Sequence, residues 1–555
     1  MKSTLTKELG IINATRFENE FAVIGPNNTN ANNSYYLSMG RSLPWANSTT
    51  GTLDDSVIPT PIDSVLNKFD VLRNAFFLKR ITSSDLHPVI PRVDWTINQV
   101  YVAYDHTTDL FAKRVETQIA SGNVNVSISL ANTVVANGIN FNLASPSVSV
   151  GTIIKIGEES KEVIRVNTAG DFLQVNTNFT SAYTRANIFK ISTSTLGYVN
   201  KFYVRNNADQ VFKCLFNNNN ALSTVSPSIA IGGQLPSNPY IATSDGYRWK
   251  YMYTIPAGLK QRFFTADFMP IASPQEKVVT DNAVDGRIDV VQILSGGSGY
   301  YNGSTTTNYS PTSNVISVVG DGTGAQLTAD ITNGVITKIN ILNGGSGYTY
   351  ATITVNDPLI SLVNTAASLR AVISPSGGHG SSLEYELGAS YRMMSVDFDS
   401  DINGLLPVSN SGNDDFRQIA LVQNPRLDSN NGIAFGTTGY NLCTKIYVND
   451  VTGGTFTPDS TVYVGASYAA ATFTATVVFY DSTNKILYVN LTVGDTSDLL
   501  NKTIVQKDTA IQGKVFQVDL PDINTLSGQI LYIENRSKII RNPDQSESTR
   551  ILFAF

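Results

Sequence analysis

Two copies of one pattern sit near the middle of this chain. Gly286–Tyr300 reads Gly-Arg-Ile-Asp-Val-Val-Gln-Ile-Leu-Ser-Gly-Gly-Ser-Gly-Tyr, and Gly334–Tyr348 reads Gly-Val-Ile-Thr-Lys-Ile-Asn-Ile-Leu-Asn-Gly-Gly-Ser-Gly-Tyr. The offset is constant, close to 50 residues, in the range of repeated β units. Each copy is a strand of alternating Ile and Val ended by a glycine turn. Between them, Gly320-Asp321-Gly322-Thr323-Gly324 has the glycines of a phosphate loop. It precedes no helix and lacks the Lys-Ser/Thr partner, so a hairpin turn is expected there.

The same grammar recurs elsewhere. Short β-branched runs at Val124–Leu130, Thr152–Ile156 and Glu162–Val166 are separated by turn residues, with Asn137-Gly138 as the clearest hairpin signal. A third such stretch holds Thr461–Val464, Thr472–Tyr480 and Lys485–Val493. In Tyr247–Tyr253 the aromatics Tyr247, Trp249, Tyr251 and Tyr253 alternate with Arg248, Lys250 and Met252, predicting a strand with one aromatic face. The C-terminal stretch Ile530–Phe555 breaks at Asn535-Arg536-Ser537 and again at Asn542-Pro543-Asp544, which predicts a three-strand meander. Its last segment puts Ile551, Phe553 and Phe555 on one face, so the terminus should be buried.

Helical signals are few. Phe17, Phe21 and Ile24 share a helical face that Gly25-Pro26 ends, and Asp63 stands where an N-cap belongs. Behind Asp63, Val65, Leu66, Phe69, Leu72 and Phe76 make one apolar stripe. The proline of Val89–Trp95 argues against a central strand and for a rigid loop or edge.

Length and composition bound the rest. The chain has 555 residues, and at about 150 residues per domain that suggests three or four domains. Only 15% of residues are charged, the net charge is −6, and no basic cluster exceeds Lys79-Arg80. A nucleic-acid partner is therefore not expected. No apolar run at the N-terminus is long enough for a signal peptide or membrane span, which predicts a soluble protein made in a reducing cytoplasm. Cys214 and Cys443 read as free buried thiols.

Catalytic constellations are scarce. His87, His106 and His379 have no metal-ligand spacing, and His379 sits in a glycine-rich loop where a turn or interface role is expected. No nucleophile elbow occurs. Asp397, Asp399 and Asp401 start like a calcium loop, but Ile402 stands where glycine is needed and Val408 where a bidentate glutamate belongs. They are weak metal candidates in a solvated acidic loop. Trp45 and Trp249 could stack sugars, yet core packing is the expected role. No cofactor and no enzymatic activity are expected.

Several segments, taken in order, resemble one family. They are Gly40-Arg41-Ser42-Leu43-Pro44-Trp45, Asp63–Leu66, and Val89–Trp95 with Pro91, Arg92, Asp94 and Trp95. Asp245-Gly246-Tyr247, Trp249 and Ile255-Pro256 follow, then Phe416-Arg417-Gln418-Ile419 with Asn424-Pro425. The series closes on Asn535-Arg536, Asp544-Gln545 and Ile551–Phe555 with Phe553. Together they resemble a baseplate wedge subunit of T-even-type contractile-tailed bacteriophages, over about half the chain. The resemblance implies a non-enzymatic virion protein of the tail baseplate that forms a homodimer. Its implied partners are other baseplate wedge proteins and, peripherally, the tail-fibre attachment proteins. The alternative is a receptor- or glycan-binding tail component, suggested by the repeats and by exposed aromatic candidates.

The expected fold is mainly β with a few helices: a discontinuous mixed core domain interrupted by three β-rich inserted modules. The core parts are 1–114, 196–280, 376–429 and 516–555, and the modules are 115–195, 281–375 and 430–515. The four motif-bearing segments are expected to meet in one core, bringing Phe553 and Phe555 close to Trp45 and Trp249.

Overall fold

The computed structural model describes residues 7–21, 33–47, 49–107, 114–144, 148–150, 152–157, 159–175, 178–193, 201–230, 240–272, 277–301, 316–355, 365–399, 414–436, 439–542 and 545–555. The fold is mainly β. Among the described residues the α-helices are Lys7–Glu20, Val65–Asn74, Ala257–Phe263, Lys277–Asp281 and Leu383–Leu387. None of them is long and apolar enough to cross a membrane. The chain divides into two compact units, one of Met1–Ile11 with Val89–Ser390, the other of Ile12–Pro88 with Tyr391–Phe555.

In the second unit an antiparallel sheet runs in the order Gly439–Asn441, Ala75–Ile81, Tyr35–Gly40, Asp414–Gln423, Gln529–Arg541. Its middle strand, Tyr35–Gly40, is buried along its whole length. Side chains alternate between faces, so Tyr35, Leu37 and Met39 enter one apolar cluster and Tyr36 enters another with Leu78, Ala420 and Val422. A strand covered on both sides reads as a nearly continuous apolar run, which is how Tyr35–Met39 reads apart from the buried Ser38. Six further strands between Thr444 and Asp519 close into a barrel around Ile446, Val462, Val477 and Val489. Closure removes the unpaired edges of so many short strands.

In the first unit six strands between Arg114 and Thr193 form another closed barrel. An antiparallel sheet of Tyr203–Arg205, Gln210–Phe216, Arg248–Thr254 and Ile241–Ala242 holds the aromatic strand. That strand has no single aromatic face. A register shift at Met252 interrupts the alternation, and Trp249 through Tyr253 are all buried.

The repeats make a reciprocal pair. Copy one supplies the strand Ile288–Ser295 and copy two supplies Val335–Ser346. Tyr348 donates its backbone N–H to Gly286 at 3.1 Å, and Tyr300 donates to Gly334 at 3.0 Å, so the end of each copy meets the start of the other. Equivalent residues share one core: Ile288 with Ile336, Val291 with Ile339, Tyr300 with Tyr348. The glycines are dictated by close approach. A Cβ on Gly297 would stand 2.5 Å from the Thr365 oxygen, and one on Gly345 would stand 2.4 Å from the Thr323 oxygen. Both have positive φ, +65° and +66°.

Several local expectations are corrected. A two-residue hairpin turn is at Asn333-Gly334, both with positive φ as a type I′ turn needs, joining Thr323–Thr332 to Val335–Ser346. Asn137-Gly138 instead follows the strand Thr133–Ala136, which pairs with Arg114–Val126 and Phe172–Val175. Gly320–Gly324 is a corner: the strand before it pairs with Ala351–Val355 and the strand after it with Val335–Ser346. Asp321 holds that corner by accepting the backbone N–H groups of Thr349 and Tyr350. Among the described residues there is no C-terminal meander. Gln529–Arg541 is one strand that runs through Asn535-Arg536-Ser537 with an irregular register against Asp414–Gln423, while Glu547–Ala554 pairs with Tyr391–Phe398.

The N-cap of Val65–Asn74 is Ser64, whose hydroxyl accepts from Asn67 N–H, not Asp63. That helix buries Val71 and Leu72 and leaves Val65 and Leu66 exposed, and Phe76 belongs to the strand Ala75–Ile81, outside the helix. Leu86–Pro91 is a strand, with Pro91 as its final residue. Its Val89–Pro91 end pairs with Phe268–Pro270. Ile24 lies outside the described residues. The buried residues of the four motif-bearing segments fall in different clusters: Trp249, Tyr251 and Tyr253 in the first unit, Phe416, Ile419 and Ile551 in the second.

Candidate functional site

The second unit gathers its motif residues around Trp45. Gly40 ends its strand where a Cβ would come within 2.7 Å of the Asn74 oxygen, which requires glycine. Arg41 follows with φ +61° and lays its guanidinium 4.0 Å from the Trp45 ring centroid, while also donating to the Pro44 oxygen. Burial, and then the nearby Arg417 cation, push the Arg41 pKa down. Trp45 donates its backbone N–H to Asp55 at 2.7 Å and its indole N–H to the Arg536 oxygen at 2.8 Å.

Arg417 is buried and held between two carboxylates, Asp55 at 2.8 Å and Asp415 at 2.7 Å, and donates to the Ser42 oxygen as well. Asp415 also receives Lys538 at 2.7 Å. Asn535 donates to the Pro59 oxygen and accepts from Gln418. The result is a polar knot tying loop 41–59 to two strands of the sheet. A crevice of about 190 Å³ opens beside it, lined by Arg41, Trp45, Gln418 and Asn535.

A neighbouring crevice of about 220 Å³ is lined by Pro61, Ile62, Lys68 and Ile530–Ile533. Exposed apolar side chains lie at and near it, together with the Asp63–Lys68 ion pair. Ile62 is 65% exposed, Val65 68% and Leu66 77%, with Leu531 and Tyr532 also exposed.

In the first unit Asp94 takes Arg92 at 2.5 Å and Arg205 at 2.8 Å, and both guanidinium groups lie over the Phe264 ring. Burial alone would raise the Asp94 pKa, but its bonds to the two arginines outweigh that and lower it. The Pro91 oxygen accepts from the Tyr203 hydroxyl, and Trp95 donates its indole N–H to Ser223. Asp245 is a loop organiser, accepting from Ser223, Thr224, Val225, Thr243 and Tyr247. Gly246 has φ +83° and packs against Asn218. Trp249 is fully buried, stacked on Tyr247 and edge-on to Tyr101. Neither Trp45 nor Trp249 presents a ring for sugar stacking, and Tyr300 and Tyr348 are core residues.

The remaining candidates are dispersed. Asp397 lies exposed in Tyr391–Phe398, and its backbone oxygen accepts from Lys79. The Asp399 oxygen accepts from Arg541, while Asp401 and Asp544 lie outside the described residues. Among the described residues no three His, Cys, Asp or Glu groups gather as a metal site. Gln545 bonds with Asn542 and the Ile540 oxygen. Phe553 and Phe555 pack on Phe17, with ring centroids 4.8 and 5.2 Å away.

Sequence reasoning missed a buried ionic group in the first unit. Lys213 and Glu386 pair at 2.9 Å with side chains almost wholly excluded from solvent. His379 lies within the group, its Nδ1 3.2 Å from the Lys213 ammonium and its Nε2 4.0 Å from Asp289. Burial and then the Lys213 charge lower the His379 pKa, so the ring is neutral near pH 7. Tyr104 covers the Lys213 ammonium with its ring face at 4.3 Å. Lys213 and Glu386 are 173 positions apart and share no spacing signal.

Residues 4–135 match the family model described as bacteriophage T4 Gp8. The match supports a phage baseplate wedge component. It carries with it a structural role and a place in the virion tail baseplate, among other baseplate proteins. Gly40–Trp45, Asp63–Leu66 and Val89–Trp95 lie inside the matched residues; Asp245–Pro256, Phe416–Pro425 and Ile530–Phe555 lie beyond them. No curated protein matches the sequence.

Proposed function

We propose that the chain is a non-enzymatic subunit of a contractile-tail baseplate wedge that pairs with a second copy of itself and joins neighbouring wedge proteins. The tail-fibre attachment proteins are its peripheral partners. The family match over residues 4–135 supports the baseplate setting. The observation that carries the pairing is the set of exposed apolar side chains in the second unit, with Ile62, Leu531 and Tyr532 around one crevice and Val65 and Leu66 on the helix that follows Ile62. Contiguous large apolar side chains left in water mark interaction surfaces. Around a two-fold axis such a patch is self-complementary. The low charged fraction of 15% agrees with a surface largely covered by partners, since charges are depleted at interface cores.

The β-rich stretches 115–195, 281–375 and 430–515 are read as modules added to a core. Their support is that the strands between Arg114 and Thr193, and those between Thr444 and Asp519, close into barrels of their own.

Light scattering across micromolar concentrations tests the pairing. The expected result is a dimer that Leu66→Glu converts to monomer with unchanged circular dichroism. A strict monomer at every concentration would overturn it.

A further inference from the structure

The first unit contains a cleft of about 510 Å³, a volume in the range of ligand sites. One wall comes from Phe216 and Arg248 of the aromatic sheet and from Tyr240 next to its strand Ile241–Ala242. The other comes from the two repeat strands, at Val290–Ile293 and Thr337–Ile341.

Charge and shape define the occupant. The Arg248 guanidinium lies 5.0 Å from the Tyr240 ring centroid and 5.5 Å from that of Phe216, so the two rings hold it in place. Among the described residues it has no hydrogen bond or ion pair. Lys338 adds a second cation, whose only anion among the described residues is the exposed Asp330 at 3.9 Å. The lining contains no aspartate or glutamate. Two cations with no carboxylate among the lining residues attract an anion, and the fixed guanidinium fork fits a carboxylate.

The repeat strands supply the shape. Ile336 donates its N–H to Gly296 at 3.0 Å and Tyr348 donates to Gly286, which ties the antiparallel pair at both ends. Between those ties, over Val290–Ile293 and Thr337–Ile341, no backbone bond joins the two strands among the described residues. Among the described residues, Ile288–Ser295 pairs only with Ser368–Ile373, and Val335–Ser346 only with Thr323–Thr332. Among the described residues each therefore keeps an edge without a ladder partner, and the two edges face each other across the cleft; such edges are the feature that extended peptides use for docking. A sugar fits less well, because both aromatic rings in the lining already carry the guanidinium.

We propose that this cleft binds a short, extended, acidic segment of a partner protein, with Arg248 receiving its carboxylate and Lys338 supporting it. This rests on the assembly role proposed above. Its test uses no baseplate protein, so it can fail while that role stands.

The full chain is titrated against a fluorescein-labelled Ser-Val-Glu-Val-Ser peptide by anisotropy at low salt, beside its glutamine twin and beside glucuronate as competitor. The expected result is saturable binding of the glutamate peptide, at least about ten-fold tighter than the twin. Arg248→Gln should weaken it by about ten-fold, and Lys338→Gln, at an exposed position harmless to folding, by a few-fold. Failure of the glutamate peptide to saturate, equal affinity of the twins, or indifference to Lys338→Gln together with Arg248→Gln would overturn the proposal. Binding of glucuronate without binding of the peptide would overturn it in favour of a sugar acid.

Discussion

Trp45 donates its indole N–H to the backbone carbonyl of Arg536 across 491 residues of sequence. The ring also carries the Arg41 guanidinium, and the Trp45 backbone N–H shares the Asp55 carboxylate with Arg417. One side chain thus fastens an early loop to the strand Gln529–Arg541, at the place where that strand's register against Asp414–Gln423 is irregular. An irregular stretch leaves backbone groups without ladder partners, and the indole supplies one.

Trp45→Phe keeps a ring under Arg41 and removes the donor. It should lower the stability of the second unit by about 0.5–1.5 kcal/mol, the net worth of one hydrogen bond. Trp45→Ala loses the packing as well and should cost about 3–5 kcal/mol. Calorimetry separates the two, and equal losses would assign the whole effect to the hydrogen bond.

The paired glycines make a sharper test. Gly297→Ala and Gly345→Ala each place a Cβ against backbone at positive φ, and each should destabilise by about 2 kcal/mol or more. Their effects should be alike, because the two sites are equivalent in the reciprocal repeat. Gly258, in the helix Ala257–Phe263, has nothing within 4 Å of its would-be Cβ, so Gly258→Ala should instead stabilise by about 0.5–1 kcal/mol. Urea midpoints check all three, and a loss in Gly258→Ala would contradict the space argument.

These cases show what the sequence makes legible. The β class and the repeat followed from period and glycine, since Ile288, Ile336 and their neighbours alternate into one core. The motif segments did not reveal which unit each would join, because pairing partners such as Trp45 and Arg536 leave no local trace. Turn residues misled where tertiary structure overrode them: Asn535-Arg536-Ser537 runs on as strand because Asp414–Gln423 offers it a ladder. The stripe on Val65–Asn74 was visible, but periodicity alone does not say whether such a face is buried or left for a partner. The Lys213–Glu386 pair was invisible because charge pairing over that separation has no periodicity.

That pair predicts a pH dependence. Burial alone would raise the Glu386 pKa, but the Lys213 charge and then His379 outweigh it, holding it at about 2. A carboxyl depressed from 4.5 contributes stability that is fully present above its ordinary value and is lost as pH falls from about 4.5 toward 2. Glu386→Gln removes that contribution and strands the Lys213 charge, a loss of about 3–5 kcal/mol near pH 7. Thermal unfolding of the wild type should therefore drop steeply across this window, and the variant should start lower and fall less. Parallel curves would show that the pair does not control acid stability.

The two cysteines allow each unit to be read separately. Cys214 lies in the apolar core of the first unit and Cys443 in that of the second, and both thiols are free and buried. Burial raises the Cys214 pKa and pushes that of Cys443 up to about 12, so neither is a thiolate at neutral pH. The thiolate is the reactive form, so native protein should be inert to a disulfide reagent, and reaction should require opening of the surrounding core. Under increasing denaturant, Trp45→Phe should advance labelling of Cys443 and leave Cys214 unchanged. Gly297→Ala should do the reverse. Mass spectrometry of the labelled peptides identifies each site, and simultaneous labelling in both variants would mean that the two units open as one.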